Sequence, residues 1–157
     1  MRISILINGE KRVFQAEPSE TLLTLLRREG YKGVKKGCER GDCGACAVLL
    51  DGRAVNSCLV LAAKADGRAV TTVEGLETDG RLSALQEAFL DAGAVQCGYC
   101  TPGMLIAATD LLNRNPDPSE EEIREAISGN LCRCTGYVKQ VEAIKLAVRR
   151  MKGGGDG

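Results

Sequence analysis

Apolar and polar residues alternate at the start of the chain in a way that predicts a β-hairpin followed by a helix. Arg2–Ile7 places isoleucine at every second position, so one face of a strand is apolar. Asn8-Gly9 is a strong two-residue turn signal, and Lys11–Gln15 is the expected return strand. A helix is expected to open at Pro18-Ser19-Glu20, to carry a leucine stripe and to stop at Gly30.

Two further strands and a boundary follow from the same kind of pattern. Ala47–Leu50, the turn Asp51-Gly52 and Arg53–Val55 predict a second hairpin. Ala69–Val73 is the expected last strand of this half. Glu74–Gly80 is a polar, glycine-bearing connector, and it is the expected boundary between two parts of the chain.

Beyond this connector the apolar residues recur with helical spacing, which predicts four short helices. Two of them open with capping boxes, Ser83 with Gln86 and Ser119 with Glu122. Another is expected to begin at Pro102 with Thr101 as its N-cap and to end near Asn113, and the last spans Val138 to Met151. Four helices with two cysteine segments between them indicate a small bundle that holds a metal centre.

The segment GVKKGCERGDCGAC holds three of the four cysteines in the first half. Cys38, Cys43 and Cys46 are followed by Cys58, and the spacing C-x4-C-x2-C…C is the plant-type [2Fe–2S] pattern. Its glycines are expected to leave room for a tight loop that aims backbone amides at sulfur. A zinc site is the alternative, although zinc sites favour repeated two-residue gaps.

A second set of cysteines lies in QCGYCTPGM and GNLCRCTGY. Four thiolates that meet at one point describe a metal centre, and its ligands here are Cys97, Cys100, Cys132 and Cys134. Arg133 is expected to point away from it. The positive end of the helix expected at Pro102 would face this anionic centre. Backbone N–H groups are expected to approach the sulfurs at Gly98, Gly103 and Gly136, or these glycines serve only as turn residues.

Composition narrows the chemistry. The 157 residues contain eight cysteines and no histidine, which excludes Rieske clusters, Cys/His zinc sites and histidine-based catalysis. The formal net charge is zero without a basic patch, which argues against nucleic acid as a partner. No apolar run is long enough to span a membrane, and no signal peptide is recognisable. We therefore expect a cytoplasmic protein, in which cysteines serve as metal ligands before disulfides.

From Arg2 to about Met151 the chain resembles the small iron–sulfur subunit of the molybdenum hydroxylases, the xanthine dehydrogenase/aldehyde oxidase family. GCERGDCGAC, QCGYCTPGM and GNLCRCTGY occur in the family's order. The resemblance implies an α+β protein. A β-grasp plant-type ferredoxin domain at residues 1–76 would precede a four-helix bundle domain at residues 81–152, and residues 153–157 would form a disordered tail.

The resemblance also implies the ligands and the partners. One [2Fe–2S] cluster would lie on Cys38, Cys43, Cys46 and Cys58, and a second on Cys97, Cys100, Cys132 and Cys134. Gln96 and Cys134 match positions that approach the molybdopterin in relatives, although Gln96 could equally cap local backbone. A large subunit would hold the molybdopterin, and a medium subunit, where present, would hold FAD.

The chain is thus expected to carry electrons from molybdenum to flavin or an external acceptor, without binding substrate itself. The segment AVNSCLVLAAKADGRAVTTVEG resembles bacterial xanthine dehydrogenase small subunits, which implies xanthine or another purine as the substrate. Nicotinate, aldehyde, carbon monoxide and aromatic acyl-CoA enzymes are the alternatives. Two other classes stay open at this point: a free-standing two-cluster ferredoxin and a structural two-zinc protein.

Overall fold

The first half of the protein is a five-stranded mixed sheet crossed by one helix. The computed structural model describes residues 1–153. The strands are β1 (Arg2–Ile7), β2 (Glu10–Gln15), β3 (Ala47–Leu50), β4 (Arg53–Asn56) and β5 (Ala69–Thr71), and the helix is α1 (Leu22–Arg28). Their order in the sheet is β2-β1-β5-β3-β4. Only β1 and β5 pair in parallel; the other neighbours are antiparallel.

Both predicted hairpins are present, with the turn geometry that their sequences require. Asn8 and Gly9 have φ of 50° and 85°, and Asp51 and Gly52 have φ of 49° and 82°. Positive φ at both central residues gives the tight turn that matches the twist of the strands. The isoleucines of β1 and the leucines of α1 are buried together in one core, as their spacing predicts.

Two boundaries in this half differ from the expectation by more than one residue. The first helix begins at Leu22 rather than near Pro18, because Thr21 is its N-cap and accepts a hydrogen bond from Thr24 N–H at 3.2 Å. The last strand ends at Thr71, because Val73 already opens a 3₁₀ turn, Val73–Gly75. Short 3₁₀ turns also occupy Ser57–Leu59 and Ala62–Ala65.

The second half consists of four helices around its own apolar core. They are α2 (Ala84–Asp91), α3 (Thr101–Arg114), α4 (Glu120–Ile127) and α5 (Val138–Lys152). Both predicted capping boxes are formed, at Ser83 and at Ser119. Helix α3 begins one residue earlier than expected. Cys100, not Thr101, occupies its N-cap position, and it makes no side-chain capping bond.

The two halves contact each other along α3. Ile106 is fully buried against Ala47 and Leu49 of the sheet. Arg53 on β4 forms an ion pair with the nearly buried Asp110 on α3, with 3.3 Å between Nε and Oδ1. The predicted connector Glu74–Gly80 begins within the 3₁₀ turn Val73–Gly75 and runs into a turn at Thr78–Arg81, whose two end residues exchange backbone hydrogen bonds of 3.0 Å. The packing of Ile106 and the Arg53–Asp110 ion pair fix α3 against β3 and β4. Helix α3 follows Cys100, and these two strands follow Cys46.

Two expectations concern the ends and the surface of the chain. The predicted tail at residues 153–157 falls outside the described residues except for Gly153, which closes α5. No helix between residues 1 and 153 has both the length and the apolar character needed to cross a bilayer.

Candidate metal centres

The first cysteine loop brings its sulfurs together in pairs. Cys43 N–H lies 3.4 Å from Cys38 Sγ, and Cys38 N–H lies 3.5 Å from Cys43 Sγ. The thiol of Cys58, on the 3₁₀ turn after β4, lies next to the thiol of Cys46, which contributes to raising its pKa. All eight cysteines are free. The loop therefore presents two neighbouring thiol pairs.

Backbone amides surround the sulfur of Cys38. In addition to Cys43 N–H, the N–H groups of Arg40 and Asp42 lie 3.5 and 3.2 Å from Cys38 Sγ. These hydrogen bonds, the Arg40 contact foremost, lower the pKa of the Cys38 thiol to about 7. Burial, and then the Cys46 thiol, raises the pKa of Cys58 to about 11. Near neutral pH, Cys38 thus carries a thiolate more readily than Cys58 does.

Glycines make this tight loop possible. A Cβ atom at Gly37 would lie 2.7 Å from Cys43 Sγ, and one at Gly41 would lie 2.6 Å from Leu59 Cδ1. Gly41 also has a φ of +86°, which side chains rarely adopt. The loop can wrap around its sulfurs only because these positions lack side chains.

The second set of sulfurs lies between α2 and α3 on one side and between α4 and α5 on the other. Cys134 lies next to Cys97, and Cys100 lies next to Cys132, because each of these thiols affects the pKa of its neighbour. Burial raises the pKa of the Cys100 thiol to about 12. These four cysteines line a cavity of about 450 Å³ together with Tyr99, Leu131, Arg133 and Tyr137. Both short segments thus meet, as the sequence predicted.

The thiols of each set lie as neighbouring pairs. Within residues 1–153 no three Cys, Asp or Glu side chains come close enough together to hold a single metal ion. The expectation that the four thiolates of the second set serve one centre stays a prediction. A [2Fe–2S] cluster places two thiolates on each iron, so two adjacent thiol pairs are the donor set that fits it. The hydroxyl of Thr101, next to Cys100, is buried and has no hydrogen-bond partner within the described residues. Buried hydroxyls normally have a partner, and a cluster bound at this site would bring further acceptor atoms.

One backbone hydrogen bond links the two cysteine regions. Leu131 N–H donates to Cys43 O at 3.0 Å, and Leu131 directly precedes Cys132. Beside it, Asn130 Nδ2 donates to Gly44 O at 3.2 Å. Tyr99, between Cys97 and Cys100, donates its hydroxyl to Lys36 O. The two sites are therefore neighbours at the contact between the halves.

The second site is open to the surface. Cys97 and Cys134 are exposed, whereas Cys46 and Cys58 are buried. Arg133 is exposed but lines the same cavity as the cysteines, so it does not simply point away from them. The Gln96 side chain is exposed as well, and it makes no hydrogen bond to any of residues 1–153, so the local capping role is not observed.

Three polar residues beside the cysteines escaped the sequence analysis. Asn130 and Gln140 are buried, and Thr135 lies 3.1 Å from Cys132 Sγ. Gln140 had a visible signal, because it stands one turn before Ile144 and next to Val141 in the apolar stripe of α5. Asn130 and Thr135 had no such signal in the sequence. The partner of Asn130 is Gly44, which is distant in sequence, and the partner of Thr135 is a sulfur atom.

Comparison with known proteins identifies the family. Residues 5–76 match the profile of the 2Fe-2S iron-sulfur cluster binding domain, and residues 72–145 match that of a [2Fe-2S] binding domain. The nicotinate dehydrogenase small FeS subunit of Eubacterium barkeri is 53% identical over 94% of this chain and 95% of its own length. The chain belongs to the molybdenum hydroxylase family, as its small [2Fe–2S] subunit.

Other relatives of this small subunit serve different substrates. The xanthine dehydrogenase iron-sulfur-binding subunit of Escherichia coli is 47% identical over 90% of this chain and 91% of its own length. Quinoline 2-oxidoreductase from Pseudomonas putida 86 contains a chain that superposes with a TM-score of 0.93 and 48% identity, covering 98% of this chain and 97% of that one. The α+β fold predicted from sequence is confirmed.

These findings settle the general function. The small subunit is a two-cluster electron-transfer component of multi-subunit molybdenum hydroxylases. The [2Fe–2S] cofactors are confirmed by the two matching domains, which excludes the structural two-zinc interpretation. The free-standing ferredoxin is likewise set aside, because the relatives are subunits of enzyme complexes.

Proposed function

We propose that each cysteine quartet holds one [2Fe–2S] cluster. The first set of ligands is Cys38, Cys43, Cys46 and Cys58, and the second is Cys97, Cys100, Cys132 and Cys134. The observation that supports this most directly is the arrangement of eight free thiols as two adjacent pairs in each half. Each pair would serve one iron. The limits of the two domains, residues 1–76 and 81–152, stay a prediction.

The chain would carry electrons through the contact between its halves. A [2Fe–2S] cluster accepts and releases one electron at a time. Between the two sites the chain offers the Leu131 N–H···O=C Cys43 hydrogen bond, with peptide bonds on either side. Asn130 holds the adjacent carbonyl of Gly44. The backbone therefore provides a short connection from Cys132 to Cys43.

The open face of the second site would meet the large molybdopterin-binding subunit. Tyr99 and Leu131 line the same cavity as the exposed Cys97 and Cys134, and they expose 47 and 56% of their surface. Apolar residues of this size beside a redox site favour contact with another protein. Gln96 and Cys134 would approach the molybdopterin from this face, and the Gln96 amide is free to do so within the described residues.

The substrate of the complex would be a nitrogen heterocycle. Nicotinate, quinoline and xanthine, named in the three relatives above, all contain an aromatic ring with nitrogen. The relative named for nicotinate has the highest identity of the three, so we place a pyridine ring before the purine that the sequence favoured. Aldehyde, carbon monoxide and aromatic acyl-CoA are further alternatives.

The remaining partner and the location are also part of this proposal. A medium FAD-binding subunit would receive electrons from the first site, and an external acceptor would replace it where that subunit is absent. Eight free cysteines and no disulfide among the described residues support a reducing, cytoplasmic location.

The substrate proposal can be tested on the assembled complex. The chain would be tagged in its native host, and the captured complex would be given an electron-accepting dye with nicotinate, quinoline, xanthine or an aldehyde. Dye reduction fastest with a pyridine-type ring would support the proposal. Reduction with xanthine alone would restore the purine assignment. A chain captured without partner subunits would contradict the proposed complex itself.

A further inference from the structure

Gln140 is a fully buried amide that ties together the two segments of the second site. Its Nε2 donates to Ala94 O at 3.1 Å, and its Oε1 accepts from Thr135 Oγ1 at 3.2 Å. Ala94 stands three residues before Cys97, and Thr135 directly follows Cys134. Burying an amide is costly unless both of its ends are bonded. Gln140 meets this condition by bonding to both cysteine segments.

The hydroxyl of Thr135 is also within reach of a ligand sulfur. Thr135 Oγ1 lies 3.1 Å from Cys132 Sγ, and Tyr137 N–H donates to the same oxygen at 3.3 Å. A hydroxyl has one proton, so it can be given fully either to the sulfur or to Gln140 Oε1. A sulfur bound to iron carries negative charge and is the stronger acceptor. With iron bound, the proton would therefore point to Cys132.

Cys132 is fixed on its backbone side as well. Its N–H donates to Tyr137 Oη at 2.8 Å. Tyr137 itself has a left-handed backbone, with φ of 68°, at the position just before α5. Four residues, Cys132, Thr135, Tyr137 and Gln140, thus form one connected hydrogen-bond network beside the second site.

We propose that Thr135, which lies beside Gln140 and whose Oγ1 accepts from Tyr137 N–H, donates a hydrogen bond to the sulfur of Cys132 and thereby raises the reduction potential of the second cluster. The proposal rests on Cys132 being a ligand, as proposed above. Hydrogen bonds to ligand sulfur favour the reduced cluster, which carries one more negative charge. Thr135 and Gln140 are positioning residues, since they act on the cluster through Cys132.

The test is a redox titration of the iron-loaded full chain, followed by electron paramagnetic resonance. Thr135→Val keeps the shape of the side chain and removes its proton. We expect the potential of the second cluster to fall while that of the first stays unchanged. Thr135→Ser should restore the potential, because it restores the hydroxyl. Equal potentials in Thr135→Val and the unchanged chain would overturn the proposal.

Two further variants separate a specific effect from damage to the fold. Thr109→Val removes a hydroxyl on α3 that donates to Leu105 O and not to a sulfur atom, and it should shift neither potential. Gln140→Leu should alter the line shape of the second cluster while leaving the first intact. A matching shift in Thr109→Val would overturn the proposal, because loss of a hydroxyl that does not contact sulfur would then change the potential equally.

Cys132→Ala distinguishes this inference from the ligand assignment beneath it. If the second signal survives in Cys132→Ala, the proposed ligand set is wrong and the inference falls with it. If that signal is lost while Thr135→Val leaves the potential unchanged, only the role of Thr135 is wrong. Loss of the signal together with a lowered potential in Thr135→Val supports both.

Discussion

At the scale of single residues, two glycines allow the cysteine segments to approach each other. Gly103, in the first turn of α3, packs against the carbonyl oxygen of Gly44, leaving no room for a Cβ atom. A Cβ atom at Gly44 would lie 2.6 Å from Asn130 Nδ2 and would clash with Gly129 O, and its φ is +71°. Backbone atoms on both sides cannot move aside as a flexible side chain could.

Gly103→Ala should therefore destabilise the contact between the halves. Forcing a methyl group into a closed contact costs about 1–3 kcal/mol, which outweighs the better helix propensity of alanine. The melting temperature of the iron-loaded chain would report this loss. Gly129→Ala is the matched control, because nothing lies within 4 Å of its Cβ position. Equal melting temperatures of the two variants would contradict the close contact.

Sequence predicted the sulfur atoms better than it predicted their surroundings. The cysteine spacing indicated both quartets, because ligand spacing is a local property of the chain. Gly103 was expected near sulfur, but it faces Gly44 across the contact between the halves. Asn130 was missed for the same reason. Contacts between distant segments depend on packing, which local spacing does not encode.

At the scale of elements, helix α4 is a short helix with few buried residues. It has eight residues, of which only Ile123 and Ile127 are buried, and it precedes the segment that holds Cys132. Its start is fixed by the capping box, with Ser119 Oγ accepting from Glu122 N–H at 3.2 Å. Ser119 N–H in turn donates to Glu122 Oε2 at 2.7 Å, which lowers the pKa of that carboxyl.

Ser119→Ala should loosen α4. Loss of a serine N-cap costs about 1 kcal/mol, and the backbone amides of the first turn lose their partner. Hydrogen exchange at neutral pH should become faster across α4. Ser128→Ala removes a hydroxyl at the other end of the same helix, where it only donates to Glu125 O, and should change exchange much less. Faster exchange in both variants alike would argue against a specific capping effect.

The elements themselves were largely predictable. Turns at Asn8-Gly9 and Asp51-Gly52 and capping boxes at Ser83 and Ser119 carry their geometry in neighbouring residues, and all four were confirmed. The position of β5 between β1 and β3 was not predicted, because the order of strands depends on long-range pairing. The start of α3 was misplaced by one residue, since Cys100 already has helical dihedral angles.

At the scale of the whole molecule, the cysteine segments of the two halves contact each other. This contact is what the proposed electron path through both halves depends on. The Leu131–Cys43 hydrogen bond lies beside the Asn130–Gly44 bond, and the packing of Ile106 and the Arg53–Asp110 ion pair lie farther along α3. The contact thus has a part that adjoins the cysteines and a part that does not. The two parts can be tested separately.

Asn130→Ala should weaken the interaction between the two reduced clusters. The amide of Asn130 is buried, and its loss leaves Gly44 O without that partner, so the two segments should separate slightly. Spin–spin broadening in the electron paramagnetic resonance spectrum falls steeply with distance and should decrease. Arg53→Ala removes the ion pair elsewhere in the same contact and should leave the broadening intact. Unchanged broadening in Asn130→Ala would contradict this role.

The most direct test of two separate electron-carrying sites is the electron paramagnetic resonance spectrum of the reduced full chain and its Cys134→Ala variant. The unchanged chain should hold about four iron atoms, two per cluster, and show two distinct [2Fe–2S] signals. Cys134→Ala should lose one signal and keep the other, from the cluster on Cys38, Cys43, Cys46 and Cys58. A single signal in the unchanged chain, or loss of both signals together in the variant, would contradict two independent clusters.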